Sequence, residues 1–73
     1  MASLKKRLQN TVLHKEELNI SNQLQYTPQG PIMLYQNGIL QHEGFDYSIN
    51  ASQITWLTDP LESDLLYVYF MVN

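Results

Sequence analysis

His14 and His42 are the side chains best suited to proton transfer near neutral pH, and no cysteine accompanies them. The absence of cysteine excludes thiol nucleophiles, disulfides and thiolate metal centres. A Ser-His-Asp set can be drawn from Ser48, His42 and Asp46, but such a set is defined by mutual geometry, and nothing in this spacing brings the three together. His42, Glu43 and Asp46 are metal-ligand types without the spacing of a zinc motif. Asp59, Glu62 and Asp64 offer carboxylate oxygens, but not at the intervals of a helix–loop–helix calcium site. The glycines Gly30, Gly38 and Gly44 each stand in turn-like sequence and form no phosphate-binding loop. The expectation is therefore no catalytic residues, no cofactor, no metal and no enzymatic activity. A small hydrolase would need a clustered nucleophile and base, and no such cluster is visible.

The aromatic residues offer a different chemistry. Exposed tryptophan and tyrosine stack on sugar rings or anchor protein interfaces. Tyr26, Tyr35, Phe45, Tyr47, Trp56, Tyr67, Tyr69 and Phe70 are spread along the chain. Strand alternation sends most of them toward buried faces, which leaves Trp56 as the candidate ligand platform.

Charge divides the chain. All four cations (Lys5, Lys6, Arg7, Lys15) precede all seven acids (Glu16, Glu17, Glu43, Asp46, Asp59, Glu62, Asp64), and the net charge is −3. An acidic chain lacks the basic footprint of a nucleic-acid binder, so no nucleic acid is expected as partner. The basic beginning can instead be steered onto an acidic surface. No stretch approaches the ~20 apolar residues of a membrane span, and no apolar h-region follows Arg7. These features predict synthesis in the cytoplasm and no membrane partner. The sequons Asn19-Ile20-Ser21 and Asn50-Ala51-Ser52 then read as chance matches.

These residues must be positioned by a small fold. The chain has 73 residues, 44% of them apolar and only 15% charged, so disorder is disfavoured. Domains of about this size have marginal cores and commonly need a staple or a partner. Leu4, Leu8, Val12 and Lys15 fit one thin helix face, so residues 1–17 read as a basic arm or short helix, and residues 18–73 as the β domain. Leu18, Ile20, Leu24 and Tyr26 alternate with polar residues, which predicts a half-buried strand broken only at Asn22. Thr27 to Pro31 ends it. Ile32–Tyr35 and Ile39–Gln41 flank Asn37-Gly38, the sequence of a type I′ hairpin. Phe45, Tyr47 and Ile49 form a strand with one wet face, and Ile54, Trp56 and Leu57 another.

Leu65 to Val72 is an unbroken apolar run, the pattern of a strand covered on both faces. A chain this short struggles to cover both faces by itself, so a self-associated form or a host assembly is expected. Short strands at regular spacing with turns between them predict an all-β fold, a small antiparallel β-sandwich or barrel.

The stretch from Pro31 to Gln41, followed by Glu43-Gly44-Phe45-Asp46-Tyr47-Ser48-Ile49, Gln53-Ile54-Thr55-Trp56 and Pro60 to Tyr69, resembles a small β module of tailed-bacteriophage virion proteins. The module occurs in tail fibre, neck and other appendage proteins. The discriminating part is Asn37-Gly38 followed by Gly44-Phe45-Asp46-Tyr47, and the similarity extends over about residues 18–70. Glycines common in that pattern are replaced here by Asn50-Ala51 and Glu62-Ser63. The resemblance implies a virion structural protein of a bacteriophage, homo-oligomeric with trimeric or ring-like symmetry and bound to other virion structural proteins. Its expected interface is Leu65, Tyr67, Tyr69 and Met71, or the opposite face of that strand, with Lys5, Lys6 and Arg7 docking the arm. The alternative is a receptor- or glycan-binding module on the virion surface, with Trp56 and exposed tyrosines as its platform.

Overall fold

A computed structural model describes residues 11–73 of the protein. Within them the fold is all-β and antiparallel. The strands are β1 (Val12–Glu17), β2 (Met33–Gln36), β3 (Ile39–Leu40), β4 (Tyr47–Asn50), β5 (Gln53–Trp56) and β6 (Leu66–Val72). One sheet has the order β1-β6-β2-β3, and the second consists of β4 and β5. The apolar run of β6 is central because both of its edges are paired, with β1 on one side and β2 on the other. The two sheets share one core. Leu34, Val68 and Phe70 of the larger sheet meet Tyr47, Ile54 and Trp56 of the smaller, with Leu18 and Leu24 from the connecting chain.

The turns follow from local chemistry. Asn37 and Gly38 both take positive φ, 53° and 82°, as the type I′ hairpin between β2 and β3 requires. Asp46 shapes the turn before β4. Its Oδ2 accepts the His42 N–H at 2.8 Å, and Tyr47 behind it is buried in the core. In the β4–β5 turn the positive φ falls on Ala51, at 55°, rather than on Asn50.

Three sequence expectations need correction. The segment before residue 18 was expected as an arm or helix, and its described part, Val12–Glu17, is strand β1 of the main sheet. Val12 and Lys15 therefore alternate in a strand and do not share a helix face; Leu4 and Leu8 lie outside the described residues. Leu18 to Tyr26 is not a strand and makes a single isolated bridge, Gln23 to Gln53. Asn19 reverses the chain there, its Oδ1 accepting the Ser21 N–H at 3.1 Å, and Asn22 takes a φ of 58°. Leu18 and Leu24 still reach the core, but Ile20, at the turn between them, is 99% exposed. Phe45 sits in the turn before β4, outside the strand, and is 80% exposed.

Candidate interaction surface

The pleat sorts β6 into two faces. Leu66, Val68, Phe70 and Val72 point into the core, and Tyr67, Tyr69 and Met71 point away from it. Antiparallel register places residues directly opposite one another on the same face. The outer face is thus built in rows across the sheet. Leu13 lies beside Met71. Lys15, Tyr69 and Met33 form a second row. Glu17, Tyr67, Tyr35 and Leu40 form a third. The rows make a mostly apolar surface with charge only at the β1 margin.

Ring contacts order this surface. Tyr35 and Tyr69 meet edge to face with centroids 5.8 Å apart and planes at 86°, the preferred arrangement of two quadrupoles. The Lys15 Nζ sits 4.9 Å from the Tyr67 ring centroid and 5.5 Å from that of Tyr69, a cation over two π faces. Met33, Tyr35, Gly38, Tyr67 and Tyr69 line a shallow depression of about 310 Å³. Gly38 borders it as the tip of the β2–β3 hairpin.

Asp64 holds the hairpin in place. Its Oδ2 accepts the Gln36 side-chain N–H at 2.8 Å and the Leu61 backbone N–H at 2.9 Å, and its Oδ1 accepts from the Asn37 side chain at 2.9 Å. Asn37 Oδ1 in turn accepts the Leu65 N–H at 2.8 Å. The hydrogen bonds from Asn37, then those from Gln36 and Leu61, favour the ionised carboxylate and lower the Asp64 pKa below its ordinary value. The network ties the hairpin to the chain entering β6, and so fixes Tyr35 relative to Tyr67.

The sequence candidates distribute as follows. Tyr67, Tyr69 and Met71 lie together on the outer face, and Leu65 is exposed just ahead of β6. Lys5, Lys6 and Arg7 lie outside the described residues. Trp56 lies in the core at 8% exposure. Its indole N–H donates to Asn22 Oδ1 at 3.2 Å, and its ring meets Tyr47. It is therefore a packing residue, and the solvent-facing ring that a glycan platform around Trp56 needs is not presented. Burial also raises the Tyr47 pKa, aided by the charges of Glu43 and Asp46. Asp46 is engaged by its turn rather than aimed at a base, and Asp64 is engaged by the hairpin. Among the described residues no three histidine or carboxylate side chains converge as a metal site.

Sequence reasoning missed Leu13, Met33, Tyr35 and Leu40 as members of the outer face. The signal that finds them is register, which becomes available only once β1 is known to pair with β6. Compared with known proteins, the chain matches no family model, no curated protein and no solved structure.

Proposed function

We propose that the protein is a structural component of a tailed-bacteriophage virion, a self-associating β module of the tail, neck or fibre apparatus. Its mechanism is association rather than catalysis. One observation carries this reading: the central strand of the main sheet turns Tyr67, Tyr69 and Met71 outward, and they join Leu13, Met33 and Tyr35 in one apolar surface. Contiguous apolar surface on a small soluble domain marks an interaction site, and covering it releases about 25 cal/mol for each Å² removed from water, before ordering costs. The composition of the face also fits. Tyrosine and methionine are the residues enriched at interfaces, and charge is held to the rim. The Asn37-Gly38 and Gly44-Phe45-Asp46-Tyr47 resemblance supplies the particle, and the basic segment at Lys5, Lys6 and Arg7 supplies a docking charge toward other virion proteins.

The test is fractionation of purified particles of the phage that encodes the chain. The expected result is the protein in every particle, at a copy number matching one of the particle's symmetric rings or spikes. Its absence from purified particles overturns the reading.

A further inference from the structure

Beyond the outer face, the main sheet of the described residues ends in two edge strands, β1 and β3, and they are unequal. β3 is only Ile39–Leu40. Its Ile39 is paired with Gln36, and the Gln41 N–H that follows donates to the Leu34 carbonyl, so only Leu40 turns backbone groups outward. β1 has six residues. The Leu18 N–H donates to the Leu66 carbonyl, which sets the phase of the ladder: Glu16, His14 and Val12 bond inward to β6. Leu13, Lys15 and Glu17 therefore hold their N–H and C=O groups toward solvent, and no described residue bonds them. Such a row is a template for another strand.

We infer that this edge pairs with the same edge of a second copy of the chain, antiparallel across a two-fold axis, joining two main sheets into one. A strand that ends on β3 finds a single residue to bond, so edge-to-opposite-edge closure is disfavoured. Two β1 strands instead offer each other two bonding residues apiece, Lys15 and Glu17. The charges fix the sense. β1 contains the point where the chain changes sign, with Lys15 the last cation and Glu16 and Glu17 the first acids. Antiparallel pairing lays the basic end of one copy on the acidic end of the other, whereas parallel pairing would set like on like. In the register that places Lys15 opposite Glu17 of the second copy, the relation occurs twice by symmetry, and each pair exchanges both backbone hydrogen bonds. Glu16 then meets its counterpart on the inner side. There its carboxylate already accepts the Gln25 N–H at 3.0 Å, and the two Lys15–Glu17 pairs outweigh the one opposition of like charge. The resulting sheet carries the outer apolar faces of both copies side by side.

The inference shares with the proposed function the premise that the chain self-associates, but assigns the contact to a different surface; because Lys15 also lies over the Tyr67 and Tyr69 rings, the charge exchange, which restores the edge pairs but not those ring contacts, separates the two. The experiment is the sedimentation mass of the full chain over a range of concentration, with far-ultraviolet circular dichroism as the check on folding. Lys15→Pro removes an N–H that points to solvent, at the kind of edge position where proline is tolerated. It is expected to halve the assembled mass with the strand signal retained. Lys15→Glu is expected to weaken assembly about tenfold by setting like charges in opposition, and the exchange Lys15→Glu with Glu17→Lys to restore it. Should Lys15→Pro fail to fold, the charge-exchange series decides. Three results overturn the inference: a folded Lys15→Pro protein of undiminished mass, an exchange variant no tighter than Lys15→Glu, or a wild-type protein that is monomeric or of odd copy number. If Tyr69→Glu dissolves the assembly while Lys15→Pro leaves it intact, the outer-face contact stands and the edge contact falls.

Discussion

Met33 and Leu34 are neighbours on β2 with side chains of similar volume, and the pleat sends them to opposite faces. Leu34 is fully buried, at 0% exposure, and Met33 is 45% exposed. Truncating Leu34 to alanine removes apolar atoms and leaves a cavity, which in general costs about 2–5 kcal/mol. Leu34 lies in a strand paired on both sides and shares the core with Val68 and Phe70, which are as buried as itself. Little can relax into the space, so the expected cost of Leu34→Ala is about 3–4 kcal/mol. A chain of this length has a total stability of about 4–11 kcal/mol at the usual value per residue. Leu34→Ala is therefore expected to retain at most about 8 kcal/mol, and at the lower end of that range to be marginally folded at 25 °C. Met33→Ala gives up a side chain that is already half in water, at about 1 kcal/mol or less in dilute protein. Trp56 is the single tryptophan and is buried, so its fluorescence reports urea unfolding directly. The expected result is a large fall in midpoint for Leu34→Ala, a small one for Met33→Ala and an unchanged m-value for both. At high concentration the cost of Met33→Ala is expected to grow, because the outer face is then covered by another copy. Equal costs for the two variants in dilute protein would refute the assignment of faces, as would a Leu34→Ala cost below about 1 kcal/mol.

Two further outcomes follow from the hairpin. Gly38 has a φ of 82° and a Cβ there would meet nothing, so Gly38→Ala costs conformational strain alone, about 1 kcal/mol, read as a shift in urea midpoint. Asp64 has a lowered pKa in the folded state, so its contribution is present above the unfolded value of 3.8 and is lost as pH falls through the lower folded value. Wild-type stability is expected to drop more steeply below that pH than that of Asp64→Ala; parallel acid titrations followed by Trp56 fluorescence would contradict this.

Much of the fold was legible where local rules coincide with tertiary ones. Asn37-Gly38 reads as a hairpin because two positive φ values leave few alternatives, and the run to Val72 reads as a central strand because no polar residue interrupts it. β1 was not legible. An edge strand protects its free side with charge, so Lys15, Glu16 and Glu17 mask the alternation that marks a half-buried strand. The segment from Leu18 to Tyr26 misled for the opposite reason. Its alternation is real, but Asn19 and Asn22 reverse the chain between the two buried leucines, and the interruption at Asn22 was the true signal. The outer face was half legible. Parity along β6 gives Tyr67, Tyr69 and Met71, whereas Leu13, Met33 and Tyr35 join them only through register across strands distant in sequence.

The central claim is that the outer face of the main sheet is a contact between subunits. Light-scattering mass of the full chain on a sizing column, wild type beside Tyr69→Glu, tests it most directly. Tyr69 lies on that face opposite Lys15, so a glutamate there can pair with the lysine, spare the core and charge the apolar surface. A defined oligomer is expected for the wild type, and for Tyr69→Glu a folded protein of smaller mass, no larger than the edge-paired dimer of the 8.5 kDa chain. A wild-type protein that is a folded monomer at every concentration, or a folded Tyr69→Glu protein that keeps the wild-type mass, would contradict it.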